Sequence, residues 1–227
     1  MTAARPPAAV LFDLDGTVAD TLADIVTALD AARAAEGHPP VGDPALVRSW
    51  IGDGARALCA RSLGSEDVTL PAARRLRDAF RAVYPSISGR LSRPYDGVVP
   101  LCDELRAAGR RTALTTNKPR VATRAFLDVH ALHARFDAVV TPDDVGDRPK
   151  PDPALFLRAA ELLACAPADC LVVGDGAADV LGARAAGMRV VAVLGGYGDA
   201  DRLRALAPDL CVTYAAELRH APLLGLV

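Results

Sequence analysis

The sequence predicts an α/β fold, a Rossmann-like parallel sheet core carrying an inserted helical subdomain. Three observations predict it. From Tyr95 onward, short apolar runs alternate with stretches of helical periodicity, the pattern of parallel strands joined by crossover helices. Residues ~20–90 show helical patterns alone, a shift relative to both flanks. Finally, polar clusters close several of the apolar runs, and sheets of this kind bind ligands outside the carboxyl ends of their strands.

In chain order, Ala8–Phe12 reads as a buried strand and runs into Asp13-Leu14-Asp15-Gly16-Thr17. Thr21-x-x-Asp24 resembles a capping box, and Leu22, Ile25, Val26 and Leu29 follow at helical spacing. That helix ends near Gly37-His38-Pro39-Pro40, and a second segment covers Asp43–Trp50. After Gly52-Asp53-Gly54, Ala55, Leu58, Cys59 and Leu63 share one helical face. Pro71 suits the first turn of a further helix, with Leu76, Phe80, Val83 and Tyr84 in register. Ser86 to Pro94 is the return linker. The remaining helices are expected at Val98–Ala108, closed by Gly109, at Val121–Val129, at Ala154–Leu163 with Asp152 as N-cap and Pro153 at the first position, and at Ala177–Ala186. Strands are expected at Arg111–Thr115, Ala138–Thr141, Cys170–Val173, Arg189–Val193 and near Leu210–Val212.

The chain has 227 residues, 51% hydrophobic and 24% charged, with a net charge of -2. These values describe a globular protein and give no footprint for nucleic acid or an anionic membrane. No apolar run approaches the ~20 residues of a membrane span, and the N-terminal apolar run is too short for a signal peptide, so a cytoplasmic location is expected. Five scattered cysteines without a C-x-x-C, and four histidines, lack zinc-ligand spacing. Among 26 basic residues only Lys118 and Lys150 are lysines, which hints that these positions need a compact point charge.

Strand alternation points Asp13 and Asp15 the same way off a strand tip. Two such carboxylates repel unless a cation or a shared proton intervenes, so the pair implies metal binding, acid–base chemistry or both. A plain Asp-Gly turn is the simpler alternative, and a calcium loop fits poorly because Gly16 and Asp24 fall at the wrong positions. Three other clusters favour chemistry. Thr116 offers a hydroxyl, and Asn117 and Lys118 offer N–H groups toward a helix N-terminus, an anion site unless it is only a turn. Lys150 sits on a tether stiffened by Pro149, Pro151 and Pro153, though a solvated surface lysine has the same sequence. Asp175 and Asp179, one helical turn apart in Gly174-Asp175-Gly176-Ala177-Ala178-Asp179, can face one ion. The dinucleotide alternative lacks its third glycine and its ribose-binding acid. Carboxylates without His or Cys make a hard oxygen site suited to Mg²⁺. Gly195-Gly196-Tyr197-Gly198 is weakly informative.

Asp13-Leu-Asp15-Gly-Thr-Val-x-Asp20, Thr116, Lys150-Pro151 and Gly174-Asp175-x-x-x-Asp179 resemble, in order and across the chain, the four motifs of the haloacid dehalogenase-like superfamily. Tyr95-x-Gly97-Val98, Thr116-Asn117-Lys118-Pro119 and Gly196-Tyr197-Gly198 look most like its phosphoglycolate phosphatase branch, a less specific match. The helical insertion resembles that superfamily's four-helix cap, giving a core of residues 1–18 and 92–227 and a cap of 19–91. Gly176 departs from the Ser or Thr common there and removes a hydroxyl near the metal.

The resemblance implies a Mg²⁺-dependent phosphatase acting on a small phosphorylated metabolite. Asp13 would be the nucleophile and Asp15 the proton shuttle. Mg²⁺ would be held by Asp13, the Asp15 backbone carbonyl, Asp175 and Asp179, and the phosphoryl group by Thr116, Asn117 and Lys150. Dehalogenases lack the second Asp, so Asp15 argues for phosphate esters. A sugar-phosphate mutase or sugar-phosphate phosphatase of the same superfamily is the alternative. Outside enzymes, a receiver-like phosphoacceptor domain would lack the helical insertion. Arg56, placed after the Gly52–Gly54 turn to meet a substrate carboxylate, and Lys118 are the candidate substrate contacts. The sequence leaves monomer or homodimer open.

Overall fold

The computed structural model describes residues 6–226. Residues 1–5 and 227, which the sequence assigns to the core, lie outside the described residues. The first half of the chain runs β1 (Ala9–Phe12), β2 (Ala19–Asp20), α1 (Leu22–Ala35), α2 (Pro44–Ser49), α3 (Gly54–Ser62), α4 (Pro71–Ile87) and β3 (Arg93–Pro94). The second runs α5 (Val98–Ala107), β4 (Arg111–Thr115), α6 (Arg120–Val129), β5 (Ala138–Val140), α7 (Ala154–Leu162), β6 (Cys170–Gly174), α8 (Ala177–Ala185), β7 (Arg189–Val193), α9 (Ala200–Ala205) and β8 (Leu210–Val212).

Six parallel strands form one sheet in the order β5-β4-β1-β6-β7-β8. β1 lies in register with Arg111–Leu114 on one side and Cys170–Val173 on the other. The carboxyl ends of β1, β4 and β6 are therefore adjacent, and Asp13, Thr116 and Asp175 follow them along one edge.

The strands read as unbroken apolar runs because both sheet faces are covered. Val10 and Phe12 pack with Leu101 and Leu105 of α5 and Phe126 of α6. Ala9 and Leu11 face the other way, onto Leu155 and Phe156 of α7 and Val180 of α8. Full burial of a side chain such as Phe12 contributes roughly 1.5–3 kcal/mol. A third cluster joins Ile25 and Leu29 of α1, Val47 of α2, Leu58 of α3, and Leu76, Phe80 and Tyr84 of α4, and touches the core helices through Ala122 of α6. No helix among the described residues is long and apolar enough to cross a membrane.

Four local expectations need correction. Thr21 and Asp24 make no capping box: the Thr21 hydroxyl donates to Asp15, and Asp24 turns away. The Asp24 carboxylate accepts the N–H groups of Gly89 (2.6 Å) and Leu91 (2.8 Å) and the Ser92 hydroxyl, tying α1 to the return linker. That linker also pairs β3 with β2 in a two-residue antiparallel ladder, too short to leave a periodic signal. Helix α7 takes Pro153 as its N-cap, with Asp152 one residue earlier accepting the Ala154 N–H. The short helix α9 is absent from the sequence reading; Asp199 caps it by accepting the Arg202 N–H.

Candidate active site

Asp13 follows the last residue of β1, and its carboxylate is nearly closed to solvent. Lys150 meets it there. The ammonium donates to Asp13 Oδ1 at 2.6 Å, to Asp179 Oδ1 at 2.7 Å and to the Thr115 carbonyl at 3.0 Å. The side chain is 2% exposed, so the surface-lysine alternative is excluded. Burial opposes its charge, but Asp13 and Asp179 more than offset that, and its pKa is raised.

Asn117 sets the position of Lys150. Its Oδ1 accepts the Lys150 N–H at 2.8 Å and its Nδ2 donates to the Lys150 carbonyl at 3.1 Å and to Gly52 of the helical layer at 2.8 Å. The side chain is thus committed to the backbone, while Asn117 itself lines the pocket over Asp13.

Asp175 follows β6, and Asp179 lies in the first turn of α8. Oxygens of Asp13, Asp175 and Asp179 lie within 4.8 Å of one another, and all three residues are buried. Burial first, and then Asp179, push the Asp175 carboxyl up to about 6 against the pull of the Tyr197 N–H, the Thr17 hydroxyl and Lys150. Burial likewise holds Asp13 well above its ordinary 3.8, opposed by Lys150 and reinforced by Asp179, Asp175 and Asp15. Three carboxylates thus share one ammonium. An all-oxygen site with this excess negative charge is chemically matched to a hard divalent cation.

Asp175 is held by two residues, Thr17 and Tyr197, to which the sequence assigned no role of their own. The Thr17 hydroxyl donates to its Oδ1 at 2.9 Å and the Tyr197 N–H to its Oδ2 at 2.6 Å. The available signal was the glycines beside Tyr197: a Cβ on Gly198 would overlap the Asp175 carbonyl oxygen. The Tyr197 hydroxyl in turn accepts the N–H groups of Thr21 and Leu22 and donates to Asp20. One residue therefore links the carboxylate site to the start of α1.

The Asp15 side chain contributes no oxygen to the three-carboxylate group. It accepts the Thr21 hydroxyl at 2.6 Å and the Lys118 ammonium at 3.0 Å. Gly16, at φ +92, makes the turn after it, and a Cβ there would overlap the Asp175 carboxylate. Asp13 and Asp15 open onto one small pocket of about 50 Å³, walled by Ile25, Trp50, Ile51, Leu58 and Phe80 and bordered by Tyr84, Thr116 and Lys118.

At the start of α6 the Lys118 N–H donates to Thr116 Oγ1 and the Arg120 N–H to Asp143, so the Lys118 N–H is not offered to a phosphate as the sequence suggests. One further expectation is corrected. Arg56 is not among the residues lining the pocket. It pairs with Asp147 and is 44% exposed, because the turn of α3 aims Ala55 and Leu58 at the pocket and Arg56 away from it.

The fold and this group of carboxylates around a lysine define a hydrolase of the haloacid dehalogenase type. The family model for the haloacid dehalogenase-like hydrolases matches residues 7–187, and the chain belongs to that family. It is 36% identical over 225 residues to phosphoglycolate phosphatase 1 of Pseudomonas aeruginosa, covering 95% of this chain and 80% of that one. It is 38% identical over 189 residues to N-acetylmuramic acid 6-phosphate phosphatase of the same organism, covering 83% and 82%. A solved structure of a predicted phosphoglycolate phosphatase from Haemophilus somnus superposes with a TM-score of 0.84 at 26% identity, over 96% of this chain and 98% of that one. The chain is a phosphoric monoester hydrolase.

Proposed function

We propose that this chain is a Mg²⁺-dependent phosphatase that hydrolyses 2-phosphoglycolate through an aspartyl-phosphate on Asp13. The observation that carries it is the convergence of Asp13, Asp175, Asp179 and Lys150 at one sheet edge. Asp13, Asp175 and Asp179 would hold the cation; when bound, it supplies charge that balances the carboxylates and stabilises the phosphoryl group in transfer.

Asp13 attacks phosphorus, and the ester oxygen leaves as it takes a proton from Asp15. Water then attacks the aspartyl-phosphate, and Asp15 takes its proton. Lys150 fixes the Asp13 carboxylate and lends its charge to the phosphoryl group in transfer, and the Thr116 hydroxyl at the pocket wall is the direct contact. Asp15 borders the pocket beside Lys118, and Asp13 is fixed by Lys150. Residues 19–91 act as a cap over the pocket, returning through the β2–β3 ladder, and exclude water during the reaction.

The phosphoglycolate assignment is supported by the relative of that name and by the small, apolar-walled pocket. The test is phosphate release from 2-phosphoglycolate, N-acetylmuramic acid 6-phosphate and a hexose phosphate, in EDTA and after Mg²⁺ addition. Mg²⁺-dependent release with the highest kcat/KM on 2-phosphoglycolate is expected. A higher kcat/KM on N-acetylmuramic acid 6-phosphate would overturn the substrate, and isomerisation of the hexose phosphate without release would overturn the hydrolase mechanism.

A further inference from the structure

We infer that Lys118 and Tyr84 together form the receptor for a carboxylate on the substrate's leaving group. The inference rests on the phosphatase reading above and names the contacts that give it specificity. Lys118 is the one cation among the described residues lining the pocket over Asp13 and Asp15. Its side chain is 1% exposed. The ammonium donates to Asp15 Oδ1 at 3.0 Å and to the Tyr84 hydroxyl, and lies 4.2 Å from the centre of the Tyr84 ring. Two of its three N–H groups are thereby used; the third has no acceptor among the described residues.

Tyr84 supplies the second donor. Its hydroxyl accepts from Lys118, and its own proton has no acceptor among the described residues although the side chain is buried at the pocket wall. A buried hydroxyl proton of this kind ordinarily has a partner. Burial, reinforced by the nearby Asp15 and Asp24 carboxylates, raises the phenol pKa, so it stays a donor. One N–H and one O–H side by side match the two oxygens of a carboxylate.

The chemistry of the ester places that carboxylate here. In 2-phosphoglycolate the carbon bonded to the leaving oxygen carries the carboxylate. Asp15, which protonates that oxygen, is hydrogen-bonded to Lys118. A group one carbon beyond the leaving oxygen therefore falls beside Lys118 and Tyr84. A hydroxyl-rich sugar has a poorer match, because Thr116 and Asn117 lie in the loop after β4 and the helical layer lines the pocket with Ile25, Trp50, Ile51, Ala55, Leu58 and Phe80. Buried hydroxyls would lose water and gain no partner there. Tyr84 belongs to α4 and Lys118 to the loop after β4, so the receptor is assembled between the helical layer and the sheet.

The experiment compares kcat/KM for 2-phosphoglycolate and 2-hydroxyethyl phosphate, which replaces the carboxylate with a hydroxymethyl group. Wild type, Tyr84→Phe and Lys118→Met are measured with Mg²⁺. Wild type is expected to prefer 2-phosphoglycolate by roughly 100-fold. Tyr84→Phe, which keeps the buried ring, should cut that preference by about tenfold, chiefly through KM, and Lys118→Met by roughly 10- to 100-fold. A wild type without preference, or a Tyr84→Phe variant whose two rates fall equally, would overturn the receptor and leave both residues as supports for Asp15. Absence of phosphate release from every monoester in wild type would count against the phosphatase reading instead.

Discussion

The Lys150 ammonium lies 2.6 Å from Asp13 Oδ1 in an ion pair with both side chains at or below 10% exposure. The pair is held from behind by Asn117, which grips the Lys150 backbone at its N–H and its carbonyl. Charge alone does not satisfy this geometry. A compact ammonium reaches Asp13, Asp179 and the Thr115 carbonyl at once; a planar guanidinium cannot take the same three directions.

Lys150→Arg should therefore lower kcat by roughly 10²-fold or more, since it displaces a charge aimed at the reacting group. Lys150→Met should also destabilise the metal-free fold by about 3–5 kcal/mol, because it strands buried carboxylates without their counter-ion. Steady-state kinetics and chemical denaturation in EDTA check the two effects. Turnover of Lys150→Arg close to wild type would contradict the assignment.

Asp175 gives a pH dependence with a defined sign. Its folded pKa, raised from 3.8 to about 6, means that the folded state favours the protonated form. Its stabilising contribution is present below the unfolded pKa and is lost as pH rises from about 4 through about 6. A shift of this size corresponds to on the order of 3 kcal/mol. In EDTA, Asp175→Asn should gain stability relative to wild type across that window, and Mg²⁺ should remove the wild-type deficit. The check is Tm against pH for both proteins, with and without Mg²⁺; parallel curves in EDTA would reject it.

Gly198 packs where a side chain has no room, against the backbone oxygen of Asp175. Gly198→Ala should displace Asp175 or the Tyr197 N–H that holds it, weakening Mg²⁺ affinity at least tenfold and costing about 1–3 kcal/mol as an overpacked site. Mg²⁺ titration by calorimetry reads the first effect and thermal unfolding the second. Wild-type affinity would show that this contact does not position the carboxylate.

Arg56 supplies a control. The Arg56–Asp147 pair is 44% and 48% exposed, and such pairs are worth about 0–1 kcal/mol. Arg56→Ala should leave KM for 2-phosphoglycolate within about twofold of wild type. A tenfold rise would return Arg56 to the substrate site.

Strands β1, β4, β6 and β7 and their polar ends were legible in the sequence because burial on both faces leaves continuous apolar runs punctuated by Asp and Thr. The helical insertion was legible from its period, down to Pro71 at the first position of α4. What the sequence hid lies in contacts between distant segments. Thr21 and Asp24 have capping-box spacing, yet one serves Asp15 and the other the return linker. The rotation of α3 decided against Arg56, and no local rule fixes a surface helix's rotation relative to a pocket. Tyr197 reaches Asp175 across 22 residues and Thr21 across 176. Tyr84 read as one of several core positions on α4, and only its packing against Lys118 sets it apart from Phe80.

The central claim is that Asp13 carries the phosphoryl group and Asp15 moves the proton. Asp15→Asn separates the two steps with 4-nitrophenyl phosphate, whose leaving group departs without a proton. The first step should be largely spared, while hydrolysis, deprived of its general base, slows by ~10²–10⁴-fold. Rapid-quench measurement should show a burst of one nitrophenol per enzyme, and acid trapping should place the phosphate on Asp13. A burst in Asp13→Asn but none in Asp15→Asn would mean the roles are reversed. No covalent phosphate in either Asp15→Asn or wild type would contradict the aspartyl-phosphate mechanism itself.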